Sequence, residues 1–206
     1  MSRTVLVPPE RVVRWFANFT ARHGAADFAV VSGRLRATSA DGCTASAALP
    51  FGDAYDGSPE PEPFAEAVSP PPRWGVLLVR KGGFAVATVE SGRILDSKVG
   101  QRHVQGRTKA GGQSQQRFAR RRDNQARQAY EAAADHAARI LHGASALVCG
   151  GDRQAVEQVL DDSRLRQLHP LRVDPWLPVP DPRRSVLEQA VVDGGSVAIT
   201  LVDVAP

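Results

Sequence analysis

The chain has 206 residues and a formal net charge of +4, enough length for one full core plus an appendage or for two small domains. Its longest apolar runs, such as 74–79 and 197–204, are too short to span a bilayer, and the N-terminus lacks a charged-then-apolar signal pattern. Both points argue against a membrane or exported protein, so a cytoplasmic location is expected. Cys43 and Cys149 stand without a C-x-x-C partner or a His at ligand spacing, so no metal, no disulfide framework and no cofactor is expected.

Taken in chain order, Pro8-Pro9-Glu10 followed by Val12, Val13, Trp15, Phe16 and Phe19 predicts a helix entered through proline and closed at Gly24. Residues 28–31 and 35–48 read as strands around a Ser32-Gly33 turn, which makes residues 1–51 a small α+β extension. Residues 52–72 change character: Pro59, Pro61, Pro63 and Pro70 to Pro72 alternate with Asp53, Asp56, Glu60, Glu62 and Glu66, which predicts a linker or solvated loop. The main domain is expected over 73–206. Residues 74–80, 84–90 and 93–99 form a predicted β-meander joined by Lys81-Gly82-Gly83 and Ser91-Gly92. Residues 114–141 hold no Gly or Pro and carry Ala126, Ala129, Tyr130, Ala133, Ala137, Ile140 and Leu141 at helical steps, which predicts one long helix. A strand at 146–149, a helix at 153–160, a short segment at 165–171, a helix at 182–192 and a strand at 196–202 complete a mixed sheet flanked by helices.

The 23 Arg against 3 Lys, with abundant Ala and Gly, reflect a GC-rich genome as readily as arginine chemistry, so the distribution of charge says more than its total. Between Arg102 and Arg127 eight basic residues (102, 107, 109, 117, 120, 121, 122 and 127) meet one acid, Asp123. Arg117, Arg120 and Arg121 stand at i, i+3 and i+4, so they share one face where a helix begins. There the unpaired backbone N–H groups and the helix dipole also favour an anion, and phosphate is the natural partner. Adjacent Gly111 and Gly112 open backbone conformations closed to other residues and let the main chain approach a crowded ligand, while Gln113 offers an amide donor and an acceptor.

The string Gly111-Gly112-Gln113-Ser114-x-x-Arg117-Phe118-Ala119-Arg120 resembles the catalytic G-G-Q segment in the middle domain of eukaryotic and archaeal class I translation release factors. The resemblance extends less specifically over 74–168. It implies an α/β (α+β mixed-sheet) fold like that middle domain, RNase-H-like, with the G-G-Q loop at 101–113. Ala110 departs from the pattern, which usually has a basic residue there. The length leaves no room for the codon-reading and partner-binding domains of those factors. The chain therefore looks most like the stand-alone release-factor-like peptidyl-tRNA hydrolases of ribosome quality control, and its arginine-rich, lysine-poor usage fits an actinobacterial member.

What the resemblance implies is a hydrolase that frees nascent chains from stalled ribosomes or large subunits without a stop codon. Gln113, Gly112 and Gly111 would be catalytic. Arg107, Lys109, Arg117, Arg120, Arg121 and Arg122 would bind RNA at the peptidyl-transferase centre and on the peptidyl-tRNA. Neither a metal nor a cofactor is implied, and a monomer without membrane contact is expected.

Other readings explain the residues less well. A binding module that catalyses nothing leaves Gly-Gly-Gln unaccounted for. A metal-dependent nuclease needs clustered carboxylates, yet 75–79 has no acid and Asp96 has no evident partner. A rescue factor that probes an mRNA channel needs a basic tail, whereas 191–206 carries Asp193 and Asp203 and no basic residue. Gly150-Gly151 reads as a turn, since the Lys-Ser/Thr of a P-loop is missing. His103 reads as a strand-end or loop side chain, and Asp181, Pro182 and Glu188 as parts of a capped helix.

Overall fold

The computed structural model describes residues 2–101 and 113–203, with side chains for all of these but 101 and 113–126. In chain order the elements are β1 (Ser2–Val7), α1 (Val12–His23), β2 (Ala26–Val31), β3 (Arg34–Ser39), β4 (Thr44–Ala48), α2 (Pro61–Glu66), β5 (Arg73–Arg80), β6 (Gly83–Glu90) and β7 (Arg93–Gln101). There follow α3 (Gln113–Ile140), β8 (Leu147–Gly151), α4 (Arg153–Leu160), a 3-10 stretch (Ser163–Leu171), β9 (Arg172–Leu177), α5 (Arg184–Gly194) and β10 (Val197–Val202). The fold is mixed α/β, with two sheets and flanking helices. Two compact units form: one holds the chain up to Pro71 together with the stretch from Val192 on, and the other is Pro72–Val191.

The first unit is an antiparallel sheet of order β1-β10-β4-β3-β2. Period-two alternation puts Leu35, Ala37, Ala45, Ala47, Val197, Ile199 and Leu201 on one face, where α1 lays Val12, Phe16 and Phe19 and α2 lays Phe64. Two expectations are corrected here. The strand expected to close the 73–206 domain, β10, pairs instead with β1 and β4, because an apolar hexapeptide specifies a strand but not its partner. The stretch 52–72 is no linker: Tyr55 and Phe64 are buried and meet edge to face with ring centroids 4.9 Å apart, and the Tyr55 N–H donates to the Gly33 carbonyl at 2.9 Å. Pro61, Glu62, Pro63 and Glu66 lie within α2, at whose start Pro61 needs no N–H donor and Glu62 meets the helix dipole.

The second unit is a mixed sheet of order β7-β6-β5-β8-β9. β5, β6 and β7 form the expected meander. Its β6–β7 turn is Ser91-Gly92, with φ of 49° and 75°, a two-residue connection of the kind that matches strand twist. β8 then runs parallel to β5, and β9 parallel to β8. One sheet face carries Leu77, Val79, Phe84, Val86, Leu147 and Cys149 against the Ala133, Ala134, Ala137, Ile140 and Leu141 stripe of α3 and the Ala155, Val156 and Val159 stripe of α4. The small residues let α3 lie close to the strands. Burial pushes the Cys149 thiol up to about 12, so it is an inert core group.

Candidate functional site

Gly111, Gly112, Arg107, Lys109 and His103 fall in 102–112, outside the described residues. Gln113, Arg117, Arg120, Arg121 and Arg122 are placed on the first turns of α3, with their side chains outside the described set. The structure therefore supplies the frame that carries the glycine loop.

That frame joins an edge strand to a helix N-terminus. β7 ends at Gln101, opposite Gly83, and α3 begins at Gln113. Register brings the C-terminal ends of β5, β8 and β9 to the same sheet edge, since Val79 lies beside Gly151 and Gly150 beside Leu177. Such an edge is where open α/β sheets place their ligands.

α3 has 28 residues, about 42 Å at 1.5 Å per residue. Its first described buried residue is Ala129, about 24 Å along the axis from Gln113. At about 100° per residue, positions 113, 117, 120 and 121 fall on one side of the helix, opposite the packed positions 129, 133, 137 and 140. Position 122 falls on the packed side. The helix thus brings Gln113, Arg117, Arg120 and Arg121 onto one face and sets Arg122 apart from them.

The C-terminal half of α3 is fixed from several directions. The buried Thr88 hydroxyl donates to the Ile140 carbonyl. A side chain at Gly75 would come within 2.6 Å of Leu141. Arg139 pairs with Asp96 at 2.5 Å, so the carboxylate weighed for nuclease chemistry is neutralised by an arginine. Arg164 donates to Asp135 and to Asp162, each at 2.7 Å, and its guanidinium holds the Asp162 carboxyl down at about 2.

The strand that launches the loop is tied to the same helix. The Phe84 ring stacks on His136 with centroids 5.8 Å apart and lies over Gly100, where a Cβ would approach it to 2.3 Å. Gly100 and Phe84 therefore set where β7 ends relative to α3. Sequence reasoning missed both, although a glycine within a strand is the signal of a close approach.

At the neighbouring strand end, Gly150 and Gly151 are the last residues of β8 rather than a turn. Asp152 caps α4, accepting from the N–H groups of Gln154 and Ala155 at 3.0 and 3.2 Å. Asp152→Ala is expected to cost about 1 kcal/mol of stability, readable as a lowered denaturant midpoint with an unchanged slope. Arg153 lies 4.5 Å over the Trp176 ring, whose indole N–H donates to the Gly151 carbonyl at 3.1 Å. Tyr130 on α3 has its phenol pushed above the ordinary value by burial and then by the Asp152 charge, so it stays neutral.

Among the described residues, the only three His, Cys, Asp or Glu side chains close enough to share a metal ion lie in the first unit. No helix among the described residues is long and apolar enough to cross a membrane.

Residues 72–200 match the family described as the Actinobacteria/Chloroflexi VLRF1 release factor. The chain belongs to this family. The matched stretch opens at the start of the second unit, takes in the G-G-Q segment, and runs into β10 of the first. Membership bears out the resemblance to release factors and the actinobacterial character read from the arginine usage. Among solved structures, the chain is similar to an archaeal translation termination factor, aRF1, at 12% identity and a TM-score of 0.39, with 94% of this chain and 64% of that one covered. A second, described as an archaeal protein, has 13% identity and a TM-score of 0.34 over 75% of this chain and 48% of that one. The VLRF1 chain thus spans under two thirds of either. No curated protein matches it.

Proposed function

We propose that this VLRF1 chain is a peptidyl-tRNA hydrolase that acts in the cytoplasm, as a monomer, on stalled ribosomes or large subunits and without a stop codon. The observation that carries the reading is Gly111-Gly112-Gln113-Ser114-x-x-Arg117-Phe118-Ala119-Arg120 standing at the join between edge strand β7 and the N-terminus of α3, in a chain of a release-factor family.

The reaction is attack of water on the ester carbonyl, with cleavage of the bond to the tRNA terminal oxygen, which leaves as a hydroxyl. Gln113 is neutral and has no useful pKa near 7, so it is no general base. It orients the water, and its backbone N–H stabilises charge developing on the carbonyl oxygen. Proton transfer falls to tRNA and ribosomal RNA groups. Gly111 and Gly112 let the main chain reach the reacting ester. Arg107, Lys109, Arg117, Arg120 and Arg121 contact phosphates, which sets register without reading sequence. Arg122, on the other side of α3, contributes less to that contact.

The double variant Arg117→Gln/Arg120→Gln is expected to weaken large-subunit binding. It should also reduce the slope of log affinity against log salt by about 1 to 2, as two lost phosphate contacts require. Co-sedimentation across a salt series measures this. An unchanged slope would remove both arginines from the interface.

A further inference from the structure

Outside the release-factor segment, the first unit brings together three side chains that are far apart in sequence. His23 is the last residue of α1, and Asp41 and Cys43 belong to the turn between β3 and β4. One nitrogen of His23, one carboxylate oxygen of Asp41 and the Cys43 sulfur all lie within 4.8 Å of one another.

The turn holds these donors in place. Asp41 Oδ1 accepts from the Ser39 hydroxyl at 2.6 Å and from the Cys43 N–H at 3.0 Å. Those contacts direct Oδ2 to His23, whose Nδ1–H donates to it at 2.9 Å. The Phe19 ring lies 4.9 Å from the imidazole. Cys43 is 6% exposed, whereas the Asp41 side chain is 47% exposed and leaves the cluster open on one side.

We propose that His23, Asp41 and Cys43 form a three-ligand site for a divalent transition-metal ion, with a fourth position open to water. A thiolate, an imidazole and a carboxylate suit a borderline-soft ion, and Zn2+ fits the set best, whereas Mg2+ and Ca2+ prefer oxygen alone. Bonds of about 2.0 to 2.3 Å draw the sulfur inward and open the His23–Asp41 contact slightly. Binding releases the Cys43 thiol proton, while the neutral imidazole then carries its N–H on Nε2 so that Nδ1 is free to coordinate. The ion would link the end of α1 to the β3–β4 turn and so stabilise the first unit.

The test is titration of the full chain with Co2+, read by the thiolate-to-cobalt charge-transfer band and by competition with Zn2+. Wild type and Cys149→Ser should both give a band that Zn2+ abolishes, and Zn2+ should raise the unfolding temperature of both. Cys43→Ser should lose the band, and His23→Gln should bind about tenfold more weakly or worse. Absence of the band in wild type, its appearance only at millimolar cobalt, or its persistence in Cys43→Ser would overturn the site. Should Cys43→Ser fail to fold by circular dichroism, Asp41→Asn, which keeps the oxygen that accepts in the turn, decides with His23→Gln. Unaltered affinity in both would overturn the proposal as well.

Discussion

Gln113→Ala is expected to lower single-turnover release by at least about two orders of magnitude, while co-sedimentation with the large subunit stays within about twofold of wild type. Gln113 is the first residue of α3, and alanine is the best helix former, so the substitution leaves the helix and its arginine face in place. The backbone N–H survives it too. On the proposed mechanism, what disappears is the amide that orients the water, a contribution present in the transition state and nearly absent from ground-state binding. Such a loss appears in the rate of chemistry rather than in affinity. A variant that lost only affinity would show that Gln113 is a binding residue, and the catalytic assignment would be withdrawn.

Gly151→Ala is expected to destabilise the second unit strongly. Gly151 has a φ of +91°, and a Cβ would stand 2.3 Å from the Val79 carbonyl oxygen. That oxygen also accepts the Asp152 N–H at 2.8 Å, so backbone on both sides of the parallel β5–β8 pairing would have to move. Strain and overpacking together cost about 3 kcal/mol or more, which is a fall in melting temperature of roughly 6 to 12 °C. Gly92→Ala is the control: its φ is +75° but nothing lies within 4 Å, so only the backbone term, about 1 to 2 kcal/mol, applies. Equal melting temperatures for the two variants would contradict the β5–β8 register.

Local signals are the legible part of this chain. Glycines at Ser32-Gly33, Lys81-Gly82-Gly83 and Ser91-Gly92 announce three hairpin turns, and the gap-free small-residue stripe of α3 announces both the helix and its close packing. Long-range choices are not legible. Nothing in 197–202 says that it inserts between β1 and β4, because an apolar strand accepts many neighbours until the whole sheet is assembled. In 52–72, proline and acid content masks Tyr55 and Phe64, two aromatics whose burial outweighs the composition around them. β1 and β9 escape sequence reasoning for a related reason: each is an edge strand with weak alternation. The single span 35–48 is in fact two strands around a turn at Asp41-Gly42, where Gly42 has a φ of 83°.

The candidate site divides in the same way. Its residue types can be read because Gly-Gly-Gln with its arginines is a contiguous string. What holds that string cannot, since Phe84, Gly100 and His136 come from three elements and meet only in the folded sheet. His23 and Cys43 are separated along the chain in the same manner, which is why spacing rules for metal ligands pass over them.

The claim that this VLRF1 chain hydrolyses peptidyl-tRNA is tested most directly with the wild-type protein. Single-turnover release of a labelled nascent chain would be followed on purified large-subunit–peptidyl-tRNA complexes, with co-sedimentation measured on the same samples. The account predicts that the protein binds and that the label is freed from tRNA. Binding without release would contradict it and leave a protein that docks on the ribosome without cutting the ester.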